Sequence, residues 1–186
     1  KDAAAVFDFD RVNKAGARFD WDKLNWLNSQ VLHALPAEML LQDLKPLWLD
    51  QNWNLPESPG WTLDLCRLLG PSLTLLKDGV EQAEPFFLCP EMEEDGRQQL
   101  EVDGARTAIA RLLEKLETSP WTGEDSEEGK MLLADAAKAA GVKKGVVMKT
   151  LRAALLGRLQ GPDLITTWSL LARLGQDLPR LRRCLD

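Results

Sequence analysis

Short stripes of leucine and other apolar residues, each closed by glycine or proline, limit most strongly how this chain can fold. In the stretch from 104 to 117, apolar residues recur at spacings of three and four, at Ile109, Leu112, Leu113 and Leu116. This spacing places them on one face of an α-helix. Similar stripes follow one another with no convincing β-hairpin between them, so the sequence predicts an all-α protein of about eight to ten helices.

The first of these helices is expected to follow Asp22, whose carboxylate can cap its first turn. Leu24, Leu27 and Val31 lie three and four residues apart and are expected to form the buried face. Trp26 neighbours this stripe, which favours a place in the core over a platform for a nucleic-acid base.

Prolines mark several of the other expected boundaries. Pro36 is suited to begin the second helix, and Pro46 is expected to end it. Pro71 and Pro162 each follow a glycine and are expected to open a new helix. Trp168, on an apolar stripe after Pro162, is expected to be core.

Charge is distributed unevenly along the chain. The net charge of the protein is −6, but residues 131–186 carry 10 Lys and Arg against 4 Asp and Glu. This asymmetry indicates that the C-terminal third meets an anionic partner.

No apolar run approaches the length of a membrane span, and the three widely spaced cysteines indicate a reducing, cytoplasmic setting. No membrane partner is therefore expected.

Catalytic and metal-binding patterns are not found in the sequence. The only histidine is His33, so a Cys-His or Ser-His-Asp arrangement would depend on that one residue, and a partly covered surface histidine is the simpler interpretation. No glycine-rich phosphate loop of the Walker or Rossmann type occurs. The carboxylates in 91–95 and 124–128 are interpreted as solvated runs. We therefore predict no catalytic residue and no metal site.

Two basic loops between helices remain as the candidate site. They are Gly141-Val142-Lys143-Lys144-Gly145 and Gly157-Arg158-Leu159-Gln160-Gly161-Pro162. Cations, glycine backbone and a helix start are suited to phosphates or to a single-stranded loop of nucleic acid. Between the loops, Lys149, Arg152 and Ala153 are expected to share one helix face.

Three motifs in register give the chain a family resemblance. They are Lys23-Leu24-Asn25-Trp26-Leu27-Asn28, then Leu151-Arg152-Ala153-Ala154-Leu155-Leu156-Gly157 with Gly161-Pro162-Asp163-Leu164, and finally Leu181-Arg182-Arg183-Cys184-Leu185. In these motifs and their order the chain resembles the C-terminal anticodon-binding region of bacterial-type, and especially cyanobacterial, glutamyl-tRNA synthetases.

The resemblance implies a helical cage of two packed helical subdomains, preceded by a short irregular piece. Residues 1–34 would be the end of the stem-contact region and a linking helix. Independently of the resemblance, Phe7, Phe9 and Phe19 are expected to anchor this piece on something apolar. Residues 35–92 would form the first anticodon-binding subdomain and residues 93–186 the second.

The resemblance further implies that the chain binds the anticodon loop of tRNA-Glu as part of a glutamate-tRNA ligase. The catalytic domain, with its ATP and Mg²⁺, would be missing from this chain. The chain alone would therefore hold no cofactor and would not aminoacylate. The expected protein is a cytoplasmic monomer.

Several residues correspond by resemblance to anticodon contacts. Arg152 matches an arginine that helps to hold the anticodon loop, although an ordinary surface arginine remains an alternative. Gly161, Pro162 and Leu164 match residues around the first two anticodon bases, and Gly161 stands where a relative carries threonine. Lys149 and Arg158 complete the candidate RNA-binding set in this part of the chain.

Ser72 matches the position at which discriminating synthetases carry an arginine that reads the third anticodon base. A serine there implies a non-discriminating protein that also accepts tRNA-Gln.

Two other functions stay open. The first is a helical protein-interaction module without RNA binding, which would use its acidic N-terminal two-thirds. The second, ranked last, is a helix-turn-helix DNA binder that would use the stretch from 143 to 158, and no DNA partner is expected.

Overall fold

Apolar stripes do form helices that pack around a common core, as a computed structural model shows for residues 20–186. These residues contain no β-strand, which confirms the all-α class. The predicted anchors Phe7, Phe9 and Phe19 lie outside the described residues. The helices are α1 (Trp21–Ala34), α2 (Ala37–Asp50), α3 (Pro59–Leu69), α4 (Asp78–Glu81), α5 (Glu84–Phe87), α6 (Glu94–Leu100), α7 (Ala105–Thr118), α8 (Ser126–Ala140), α9 (Lys144–Leu156), α10 (Leu164–Ala172) and α11 (Asp177–Arg183).

One hydrophobic core extends across both predicted subdomains, from Leu32 to Cys184. Trp61 of α3 is buried in it and donates a hydrogen bond from Nε1 to the carbonyl of Leu170 in α10, at 2.8 Å. Because buried indole nitrogens need an acceptor, this contact fixes the two helices in register. The boundary at residue 92 remains a prediction.

The C-terminal helices agree with their apolar patterns. Ile109, Leu112 and Leu116 of α7 are buried, and Trp168 of α10 is also buried, as expected. Gly141 ends α8 in the left-handed conformation, with a φ of 68°. Glycine adopts this conformation without the steric cost that a side chain would add.

The expected inward face of α1 is wrong. Leu24, Leu27 and Val31 are exposed, and Trp26 has 59% of its surface exposed, so it is not core. In the described residues, α1 meets the body through its other face instead, where Leu32 is buried and Asn28 donates to the carbonyl of Thr74. Sequence spacing defines a stripe, but it does not determine which neighbour covers it.

The α1 cap also lies two residues earlier than predicted. The Asp20 carboxylate, rather than that of Asp22, accepts from the backbone N–H of Lys23 at 3.0 Å. Asp22 lies within the first helical turn. A carboxylate there still interacts favourably with the helix dipole.

Proline positions also depart from the prediction. Pro46 lies inside α2, which continues to Asp50 because Leu44 and Trp48 are both fully buried and hold the helix on either side of the proline. Pro71 opens only a short 3₁₀ turn, Gly70–Ser72. Pro162 precedes α10 by two residues, since α10 has its cap at Asp163.

Arg180 connects α11 with two other parts of the molecule. Its side chain is buried and donates from Nη1 to the carbonyl of Leu155, from Nη2 to the carbonyl of Leu88 at 3.2 Å, and from Nη2 to Gln176 Oε1 at 2.9 Å. Burial lowers the pKa of the guanidinium to about 10. Leu155 lies in the last turn of α9, where carbonyls lack helical partners. Arg180 therefore holds the end of α9 against the segment that begins at Leu88.

No helix within residues 20–186 combines the length and apolar character that crossing a membrane requires.

Replacing Arg180 by alanine is expected to lower the free energy of unfolding by about 3 kcal/mol, because buried carbonyls lose a charged donor. Arg182→Ala is the matched control on the same helix. Its ion pair with Glu117 is exposed, so the control should lose less than about 1 kcal/mol. Urea denaturation followed by circular dichroism measures both. Equal losses would contradict the connecting role of Arg180.

Candidate nucleic-acid interface

The loop between α9 and α10 is defined by a residue at each end. Gly157 ends α9 in the left-handed conformation, with a φ of 74°, and its N–H donates to the carbonyl of Ala153, in agreement with the expectation that glycine closes an apolar stripe. At the other end, Asp163 accepts from the backbone N–H of Thr166 at 2.9 Å and caps α10. Residues 157–163 thus form a short loop between two fixed helix ends, which we call the α9–α10 loop.

Arg152 lies against this loop rather than in open solvent. Its Nη1 donates to the carbonyl of Pro162 at 2.6 Å. Burial lowers the pKa of its guanidinium, and the nearby Asp163 carboxylate acts in the opposite direction. An arginine remains charged under such a shift. Arg152 therefore fixes the position of Pro162 and brings a positive charge to the loop.

Gly161 lies next to the same guanidinium. A Cβ atom at this position would lie 2.6 Å from Leu156 Cδ1 and 3.3 Å from Arg152 Nη1. A threonine at this position would therefore require Leu156 to move. In this chain the site offers backbone groups at Gly161 and no hydroxyl.

Ser72 lines the same open cavity as the α9–α10 loop, although it is distant in sequence. The cavity has a volume of about 350 Å³. The Ser72 Oγ atom lies 2.8 Å from the carbonyl oxygen of Leu69 and 2.7 Å from Gln82 Oε1. The residues that line the cavity are Ser72, Gln82, Pro85, Leu156, Arg158, Gln160, Gly161 and Pro162. Four of the seven predicted site residues therefore meet in one place.

A second open cavity, of about 470 Å³, is also lined by Ser72 and Pro162. Here Asp64 of α3 accepts from Arg173 at 2.7 Å and from Arg67 of its own helix at 2.8 Å. The contact with Arg173, which caps α10, joins α3 to the end of α10. Burial alone would raise the pKa of the Asp64 carboxyl, but the hydrogen bonds from the two arginines outweigh it and the pKa is lowered. Ser72 and Pro162 thus line both cavities.

The remaining predicted residues lie around these cavities. Lys149 is exposed on α9, one turn before Arg152. Leu164 is buried in the hydrophobic core, so its side chain is not available to a ligand in this conformation. The expectation that Ala153 shares an exposed face with Lys149 and Arg152 is wrong. Ala153 is fully buried among the helices that pack on α9.

The acidic turn at residues 91–95, which includes the first two residues of α6, is a part of the site that the sequence interpretation missed. The N–H of Glu93 donates to the carbonyl of Gly157 at 2.7 Å, and the N–H of Leu159 donates to Asp95 Oδ2 at 3.1 Å. Arg158 Nη1 lies 3.8 Å from Glu93 Oε1. The run is therefore not merely solvated. A glycine directly after the run, Gly96, was the one available sign of close packing.

Across residues 20–186, no group of three or more His, Cys, Asp and Glu side chains is placed to hold a metal ion. The exposed His33 has its Nε2 atom 3.0 Å from the carbonyl oxygen of Leu73. The arrangement instead offers a guanidinium, amides, hydroxyls and backbone carbonyls, which are the groups that hydrogen-bond to nucleotide bases.

Solved structures share this arrangement of helices. The crystal structure of a glutamate tRNA ligase from Elizabethkingia meningosepticum CCUG26117 in complex with its amino acid superposes with a TM-score of 0.83 at 27% identity. The match covers 96% of this chain and 35% of that one. The glutamate-tRNA synthetase from Elizabethkingia anophelis gives a TM-score of 0.77, also at 27% identity, with 96% and 34% covered.

Sequence relatives and a family model agree with this fold. The glutamate–tRNA ligase of Parasynechococcus marenigrum (strain WH8102) is 75% identical over 184 residues, and that of Synechococcus sp. (strain CC9605) is 70% identical over 184 residues. Each match covers 99% of this chain but 39% of the relative, so the chain spans well under half of their length. Residues 37–185 match the anticodon binding domain family. The chain therefore belongs to the anticodon binding domain family, in the form that is found in glutamate–tRNA ligases.

Proposed function

We propose that this chain binds the anticodon loop of tRNA-Glu as the anticodon-binding region of a glutamate–tRNA ligase. The main support is the cavity in which Ser72 lies with Arg158, Gly161 and Pro162. Anticodon bases splayed from their loop can be hydrogen-bonded along their edges by such groups. Aminoacylation, with its ATP and Mg²⁺, would belong to the rest of the ligase. The chain itself would hold no cofactor and act as a monomer in the cytoplasm.

Arg152 has two roles in this proposal. Its hydrogen bond to the carbonyl of Pro162 holds the α9–α10 loop in one conformation. The guanidinium has five N–H donors, so others remain for a phosphate or a base. Because the group is half-buried, its charge is screened less by salt than that of a fully exposed side chain.

DNA is a poor fit as a partner. A recognition helix presents an open face to the major groove. In α9, the side chains of Val147, Leu151 and Leu155 are buried, and helices α6, α7, α8 and α11 pack against it. The stretch from 143 to 158 is therefore better suited to position a loop than to enter a groove.

Acceptance of tRNA-Gln is a finer part of the proposal. The Ser72 side chain is short and its hydroxyl already interacts with Leu69 and Gln82. It therefore cannot reach across the cavity, as an arginine would, to select one base at the third anticodon position. We propose that the chain binds tRNA-Glu and tRNA-Gln with similar affinity.

Replacing Arg152 by alanine is expected to weaken binding of tRNA-Glu about tenfold, and to make the dependence of affinity on salt shallower. Arg111→Ala is the control. Arg111 is an exposed arginine paired with Glu114 on α7, and its loss should change affinity less than about twofold. Filter binding over a range of salt concentrations measures both. If the chain shows no tRNA binding at low salt, the proposal is contradicted and the protein-interaction alternative is favoured.

Introducing an arginine at Ser72 should create discrimination. The parent chain is expected to bind tRNA-Glu and tRNA-Gln within about threefold of each other, and Ser72→Arg to prefer tRNA-Glu by about tenfold, because a correct side-chain contact to one base discriminates by about 1–3 kcal/mol. Ser72→Ala is the matched control and should keep both affinities similar. A strong preference of the parent for tRNA-Glu would refute the relaxed specificity.

A further inference from the structure

Two complementary polar atoms next to the α9–α10 loop are buried without a partner. Within residues 20–186, Asp95 Oδ1 and Arg158 Nε are two of the three buried side-chain polar atoms that have no hydrogen-bond partner. Leaving such atoms unpaired costs free energy, and the cost is larger for charged groups. One is a carboxylate acceptor and the other a guanidinium donor, so each could satisfy the other.

Asp95 is held beside Arg158 by the backbone. Its second oxygen, Oδ2, accepts from the N–H of Leu159, the residue that follows Arg158. The carboxylate is therefore already fixed to the loop on which Arg158 is carried. A movement of the Arg158 side chain could therefore bring the two unpaired atoms together.

The present partner of Arg158 is weak. Arg158 Nη1 lies 3.8 Å from Glu93 Oε1, and the Glu93 side chain is 59% exposed. Exposed ion pairs of this kind contribute little to stability, so an RNA ligand can compete for the guanidinium. Arg158 lines both the cavity that contains Ser72 and a neighbouring cavity that contains Glu93. Its side chain thus lies at the junction between the two.

We propose that Asp95 is a positioning residue that orients Arg158 toward the nucleotide held in the Ser72 cavity. When RNA binds, Arg158 leaves Glu93 and donates from Nε to Asp95 Oδ1. The terminal Nη1 and Nη2 groups then point into the cavity, where they donate to acceptors of the base or its phosphate. A charge-assisted hydrogen bond to a fixed carboxylate gives the guanidinium a defined direction.

This inference rests on the proposed anticodon function and adds a residue that does not itself touch RNA. It also explains why a carboxylate lies so close to a surface that must bind an anion. The Asp95 charge is turned toward the loop backbone and Arg158, so it directs a cation instead of repelling the ligand.

A double-mutant cycle tests the pairing in the full 186-residue chain. The probe is an RNA hairpin with the anticodon arm of tRNA-Glu, and fluorescence anisotropy measures its affinity. Asp95→Asn keeps a carbonyl acceptor for the Leu159 N–H but removes the charge. We expect Asp95→Asn and Arg158→Ala each to weaken binding about tenfold, and the double variant to be no weaker than Arg158→Ala alone.

A purely structural role for Asp95 would give a different result. Asp95→Asn would then weaken binding by the same factor in the parent and in the Arg158→Ala background, and that additivity would overturn the inference. Urea denaturation of each variant shows whether it is folded. Arg158→Lys keeps Asp95 intact and serves as the second variant. A lysine side chain cannot donate to Asp95 from one nitrogen and to RNA from two others, as arginine can. We therefore expect Arg158→Lys to bind the hairpin almost as weakly as Arg158→Ala does. Parent-like binding by Arg158→Lys would also overturn the inference.

A matched pair of glutamates tests the release of Arg158 from Glu93. Glu93→Gln is expected to tighten binding about threefold more than Glu91→Gln does, although both remove one negative charge from the same turn. In the Arg158→Ala background, Glu93→Gln and Glu91→Gln should change the affinity for the hairpin equally.

If the parent does not bind the hairpin, the proposed function fails and this inference with it. If the parent binds, Arg152→Ala weakens binding, and Asp95→Asn and Arg158→Ala bind like the parent, only this inference fails.

Discussion

A buried guanidinium is the interaction on which much of the second half of the molecule depends. Arg180 on α11 donates to a carbonyl at the end of α9 and to another at Leu88, just before the acidic turn. Such a group is tolerated in a core only when its donors are satisfied. By satisfying two backbone segments at once, it fixes how far apart they lie. The α9–α10 loop and the acidic turn therefore approach each other with little freedom.

The candidate site is assembled from three segments that are distant in sequence. The 3₁₀ turn contributes Ser72, the acidic turn contributes Glu93 and Asp95, and the α9–α10 loop contributes most of the remaining polar groups. The Trp61 hydrogen bond to Leu170 and the ion pair between Asp64 and Arg173 hold α3 and α10 together beneath it. Rigid helices thus position short loops that carry the chemistry.

Local sequence patterns predicted most of the helices and their ends, whereas the contacts between distant segments could not be predicted from them. The left-handed stops at Gly141 and Gly157 follow from glycine's freedom at positive φ, and the stripe of α7 from its spacing. Nothing local shows which side of α1 meets the body, so the exposure of Trp26 was missed. The proximity of Asp95 to Leu159 was also missed, because a run of carboxylates is usually solvated.

Two glycines, Gly96 in the first turn of α6 and Gly157 at the end of α9, allow the backbones of the acidic turn and the α9–α10 loop to approach closely. A Cβ at Gly96 would lie 2.5 Å from the carbonyl oxygen of Gly157, and a Cβ at Gly157 would lie 2.1 Å from that of Glu91. Both obstacles are backbone atoms, which cannot turn aside as a side chain can. A substitution at one of these glycines would therefore also affect the position of the other segment, so both positions require glycine in this arrangement.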